Sequence, residues 1–276
     1  MGSVAVFISP LLHLFFFETM WVLGWLVTTT LALDNLSSSN QQQQQDLTQP
    51  FGFLSKTTSQ QRSNNMSSSS AGEKRKENPG EWKPTSKDYE PRYTGPPAEE
   101  MTEEQTSIRD AILASRPGTG LNGPFGPWLA VPAIAQPAQS LGKACRYGTS
   151  LSRRESELVI LLTGAKFQSH TEFDIHVGEA LKAGIDLKII QAIPRDAEFS
   201  LEAVTTNLVP LLTDEREREI VKFTAELLAT SKASDETYAR TKGALDGKDS
   251  VLVEITSIVG YYAFVSYTLN VFQIPS

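Results

Sequence analysis

The chain is expected to fold as an all-α domain, and three features of its sequence predict this. Apolar residues beyond position 101 recur at the three- and four-residue spacing of a helix face. Ser, Thr or Asp precedes several of these runs and Gly or Pro follows them, where helix ends belong. No convincing strand alternation occurs after residue 101.

Three parts precede or make up this domain in the 276-residue chain. Residues 1–33 form a hydrophobic leader, in which Leu11–Leu33 is about long enough to span a bilayer. Thr30-Leu31-Ala32 resembles the small-x-small cleavage site of a secretory signal. No Lys or Arg precedes the apolar run, however, and His13 and Glu18 interrupt it. The alternatives are a secretory or membrane-anchored protein, held through residues 4–33 alone, and a cytoplasmic one whose true start is Met66. Residues 34–100, with SSSNQQQQQ, NNMSSSS and many Pro, Lys and Ser residues, offer no core and are expected to be a disordered linker. Trp82, Tyr89 and Tyr93 leave open an arm laid on the domain or on a neighbouring subunit. Residues 101–276 are the folded domain.

Within it, Thr102–Arg116 is predicted helical, with Glu103 and Glu104 in its first turn and Pro117-Gly118 at its end. Residues 117–132 form a Gly/Pro loop whose Phe125 and Trp128 either wall a pocket or plug the core. Pro137 suits the first turn of the next helix, which runs to about Tyr147. Arg146 near its end either caps the last carbonyls or holds a substrate carboxylate bidentately. Ser152 and Glu155 make a capping box for the helix that follows, in which Leu158, Leu161, Leu162 and Ala165 share a face. Thr171 is the predicted start of its partner, and Gly184 its left-handed end.

After Gly184, Asp186 is expected to cap Leu187–Ile193, and residues 198–209 to be helical. Thr213 is the predicted cap of DEREREIVKFTAELLATS, whose charged first turns are expected to form a solvated face and whose Ile220, Val221, Phe223, Leu227 and Leu228 make the apolar stripe. Ser234 starts a helix ending at Gly247. Asp249 or Ser250 caps the last, apolar on all sides and expected in a core or subunit interface.

Chemistry concentrates in Ser152–Gly184. Glu172 and His176, four apart on one helix, share a face, and Glu157 lies on the helix before. A carboxylate raises an imidazole's proton affinity while burial lowers it, so such a pair can move protons near neutral pH. His170 falls in the intervening turn, as a plain turn residue or a substrate contact. A ligand set of His170, Glu172, His176 and Glu157 is a competing arrangement, but the expected chemistry needs no metal and no cofactor. A third reading makes the Glu/His set a buried polar network that fixes packing in a binding or scaffold protein.

The run ELVILLTGAKFQSHTEFDIHVGEALKAGI resembles the core of the carboxymuconolactone decarboxylase family, which shares an all-helical fold with alkyl hydroperoxidase D. The family pattern falls here on Glu157, Ser169, Glu172 and His176, and the likeness extends from about Asn122 to VGYYAFVSYTLNVF. Hydroperoxidases carry Cys-x-x-Cys where this chain has Ser169 and Glu172, so the likeness is to the decarboxylase-like branch. It implies a carboxy-lyase acting on a small carboxylate or lactone, for which His176 would be the proton donor and Glu172 and Glu157 its partners; Arg146, Trp128, Phe125 and His170 remain the candidate substrate contacts read from the residues themselves. It also implies a homo-oligomer, trimer or hexamer.

Composition narrows the alternatives. A net charge of −7 argues against a nucleic-acid partner, which needs a basic face. A single cysteine, Cys145, excludes an internal disulfide and speaks against a peroxidase working through a thiol pair.

Overall fold

The computed structural model describes residues 81–86, 88–116, 118 and 120–276; the hydrophobic leader, residues 34–80 and Met66 lie outside the described residues. Ten helices and no strands are present among them. They are α1 (Glu103–Ser115), α2 (Phe125–Leu129), α3 (Pro132–Tyr147), α4 (Arg153–Lys166), α5 (His170–Lys182), α6 (Leu187–Gln191), α7 (Leu201–Ala203), α8 (Glu215–Thr230), α9 (Asp235–Ala244) and α10 (Asp249–Phe272).

Helix α4 is the axis of the domain. Every residue from Glu155 to Ala165 is buried, because α5, α8 and α10 all pack on it. The predicted capping box is present: Ser152 Oγ accepts from Glu155 N at 3.2 Å, and Glu155 Oε2 from Ser152 N at 2.7 Å. The turn into α5 closes through the backbone, with Ser169 N donating to Gly164 O at 2.9 Å and Gln168 in the left-handed region. Helix α5 therefore starts at His170, one residue before the predicted Thr171 start, whose hydroxyl instead donates to Ile274 O. Gly184, at φ +80°, closes this stretch as expected.

Helix α10 is the second long core element. Its 24 residues have a mean hydropathy high enough to cross a membrane, yet over half of the stretch is buried in the domain. It comes close to α3 at Gly142, where an added Cβ would sit 2.1 Å from the Tyr261 hydroxyl. That approach brings both tyrosines of the Tyr261-Tyr262 pair under α3.

Several local expectations change. Helix α3 begins at Pro132, whose missing N–H costs nothing at the first position, and Pro137 lies inside it. The segment read as loop contains α2, which buries Phe125 and Trp128. Asp214, not Thr213, caps α8 by accepting from Glu217 N at 3.1 Å. Lys248 precedes α10 without a side-chain cap, and Asp249 pairs with Lys242 at 2.7 Å. The charged start of α8 is only partly solvated. Glu217 and Glu219 are buried and held by Arg154, and by Lys222 and Arg240.

The largest correction concerns residues 81–100, placed in the disordered linker by their lack of aliphatic side chains, with an arm on the domain as the alternative; the arm is what the structure has. They lie on the domain through polar and aromatic contacts instead. Buried Asp174 on α5 accepts from Trp82 Nε1 at 2.9 Å, Thr85 N at 2.7 Å and Ser86 N at 3.1 Å. Arg195 stacks on both Trp82 and Phe173, 5.1 Å from each ring. Further along, Arg92 N donates to Phe272 O at the end of α10.

Candidate active site

The turn between α4 and α5 sets Glu157 opposite His176, and the helical repeat of α5 stacks Glu172 on the imidazole's other side. His176 Nδ1 lies 2.6 Å from Glu157 Oε2, and Nε2 lies 3.0 Å from Glu172 Oε1. All three side chains are nearly inaccessible. The Tyr262 ring stands edge-on to the imidazole, centroids 5.2 Å apart. Burial alone would lower the imidazole's pKa, but the two carboxylates together outweigh it and raise the value to about 9. His176 is therefore an imidazolium at neutral pH, with one N–H directed at each acid.

Arg146 closes the cluster. Its Nη2 donates to Glu179 Oε2 at 3.1 Å, and its Nη1 lies 3.8 Å from Glu157 Oε1 and 3.4 Å from His176 Nε2. Arg153 also pairs with Glu179. Arg146 is thus no helix cap; the end of α3 is closed by Gly148 N donating to Ala144 O.

A cavity of about 410 Å³ opens beside this cluster, walled by Arg116, Phe125, Arg146, His176, Tyr261 and Tyr262. Gly118, Asn122, Gly123 and Pro124, with Pro275 and Ser276, form its rim. Glu157 faces a smaller cavity of about 210 Å³, which it shares with Arg146 and Arg153.

Of the residues singled out in the sequence, Glu157, Glu172, His176 and Arg146 come together, and Phe125 reaches the cavity wall. Trp128 does not line it. Its indole stacks on Phe264 at 4.8 Å and donates to Thr268 Oγ1 at 3.0 Å, so it fills the core behind. His170 is not a cavity contact either: it is the first residue of α5 and its Nε2 lies 3.0 Å from Asp196 Oδ1. Without it the four-ligand metal arrangement is not assembled. Cys145 is buried and its thiol pushed up to about 11 by that burial, which leaves it a poor nucleophile at neutral pH.

The sequence did not point to Arg116, Tyr261 or Tyr262. Arg116 read only as the last residue of a helix, and the tyrosines as part of an apolar run. The tyrosines reach the site through the crossing of α10 under α3, and Arg116 through its bond to Gln139 O on α3. No family model matches the chain, and no curated protein matches it.

Proposed function

We propose that this protein is a cofactor-free acid–base enzyme, a carboxy-lyase or isomerase acting on a small carboxylate or lactone, with His176 as proton donor. The observation that carries the reading is a buried imidazole held between two carboxyl groups at the wall of a cavity. Decarboxylation moves the electron pair of the broken C–C bond into an enolate or dienolate, which must then take a proton at carbon. Nε2 is the nitrogen nearest Arg146, and Arg146 walls the cavity, so the Nε2 proton is the deliverable one. Glu172 holds that proton at rest and Glu157 keeps the ring oriented through Nδ1. The apolar faces of Phe125 and the tyrosines exclude water, which strengthens each of these interactions.

The proposal is tested by offering the full chain a panel of lactone acids and enolisable keto acids and following CO2 release and ultraviolet absorbance. His176→Gln is expected to reduce turnover by about 10²-fold or more, with the far-UV helical signal kept. Equal turnover in that variant, or none by the intact protein across the panel, would contradict it.

A second reading is favoured by one fact: both imidazole nitrogens already have protein partners, as in a network that fixes packing. Under it the chain is a non-catalytic binding or scaffold protein, with no turnover for His176→Gln to reduce and a change of assembly in its place. In either case self-association is proposed through α10, which exposes Val253, Phe264, Tyr267 and Val271 along one side.

A further inference from the structure

The cavity wall carries one guanidinium, Arg116, that no carboxylate among the described residues contacts; Glu179, also on the wall, is paired with Arg146. Arg116 is 5% exposed. It donates through Nη2 to Gln139 O and through Nη1 to Ser115 Oγ, both at 2.8 Å, and its guanidinium lies 4.7 Å over the Phe125 ring. Among the described residues no carboxylate pairs with it. Arg146, by contrast, already meets Glu179 and Glu157. A buried guanidinium without counter-charge is costly. Two of its five N–H groups are used on neutral oxygens, and the remainder keep the planar fork that matches a carboxylate.

We infer that Arg116 is the substrate-anchoring residue of this cavity, gripping the carboxylate of a small, flat organic acid whose body lies along Phe125, Tyr261 and Tyr262 toward His176. The inference rests on the cavity being the reaction site, and adds where the ligand's charge is held. It reassigns Arg146, already balanced by two acids, to positioning Glu157 and His176. It also constrains the chemistry. A cation fixed on a departing carboxylate would stabilise the charge that decarboxylation has to disperse, raising the barrier. The carboxylate on Arg116 is therefore one that stays on the substrate throughout.

Benzoate and its neutral isostere benzamide are the probes, titrated into the full chain by calorimetry. The wild type is expected to bind benzoate at least about tenfold more tightly than benzamide. Arg116→Gln is expected to erase that preference and Arg116→Lys to restore part of it, because a point charge replaces the fork. His176→Gln is expected to keep it. Equal binding of the two probes, binding of neither, or an unchanged preference in Arg116→Gln would overturn the assignment. Should Arg116→Gln fail to fold, the Arg Nε–H resonance missing from Arg116→Lys supplies the readout: benzoate must shift it, and an unmoved resonance overturns the inference. The two proposals separate. A benzoate preference lost in Arg116→Gln with no turnover on any substrate keeps the anchor and sinks the enzyme, while turnover indifferent to Arg116→Gln does the reverse.

Discussion

At the scale of single residues, His176 is governed by two opposing forces. Burial favours the neutral ring, whereas Glu157 and Glu172, at 2.6 and 3.0 Å, favour the charged one and prevail. Replacing Glu157 by Gln removes the nearer charge and is expected to bring the His176 pKa down from about 9, as read by ring-proton NMR; an unchanged value would mean Glu157 does not set it. His176→Gln leaves two buried carboxylates without their cation and is expected to cost about 3 kcal/mol by denaturant unfolding. This core of the site was legible because its parts are local: a four-residue repeat on one helix and a tight turn to the next. Arg116 and Tyr262 were not, since each arrives from a helix distant in sequence and carries no spacing signal. His170 misled for the opposite reason, being near in sequence yet held by Asp196 instead.

At the scale of elements, most helices were legible from caps and apolar spacing, and their ends less so. Neighbouring residues compete for the cap, and Asp214 outcompetes Thr213 because its carboxylate reaches the Glu217 N–H. Asp214→Ala is expected to cost about 1 kcal/mol and Thr213→Ala much less, a comparison of melting curves. Gly142 fixes the crossing of α3 over α10. Ala has the better helix propensity by about 1 kcal/mol, but its Cβ would meet a tyrosine locked against Trp128 and Tyr262. The clash therefore wins, and Gly142→Ala is expected to lower the melting temperature; a rise would show that Tyr261 can swing away. The 81–100 arm was open in the sequence only as the alternative carried by Trp82, Tyr89 and Tyr93, because polar bonds to one buried acid hold it, with few aliphatic contacts. Asp174→Ala is expected to release it, costing about 2–4 kcal/mol and exposing Trp82 to a fluorescence quencher.

For the whole molecule, charge ties stability to pH from both sides. His176 has a folded pKa raised from 6.5 to about 9. Its contribution is complete below about 6.5 and lost as pH rises through about 9. Burial pushes Glu179 and Glu219 up, but Lys182 and Arg146 on the first, and Lys222 and Arg240 on the second, pull them lower overall. Their contribution is present above the ordinary carboxylate value and lost as pH falls through the depressed ones. The melting temperature is therefore expected to be highest between these windows. The self-association proposed through α10 predicts an oligomer that Tyr267→Lys weakens, measured by light scattering, because Tyr267 is 58% exposed on that face; a monomeric wild type would contradict it. The all-α class was fully legible, since period and caps agree along the chain. The cavity was not, because it exists only between elements.

The central claim is that a protonated His176, held between two acids, faces a ligand cavity. A pH titration of nitrogen-15-labelled histidine, run with and without benzoate and assigned with His176→Gln, tests it most directly. The expected result is a ring doubly protonated at pH 7, losing its proton near 9, whose signals shift when benzoate enters. A ring neutral at pH 7, or one indifferent to benzoate, would contradict the account.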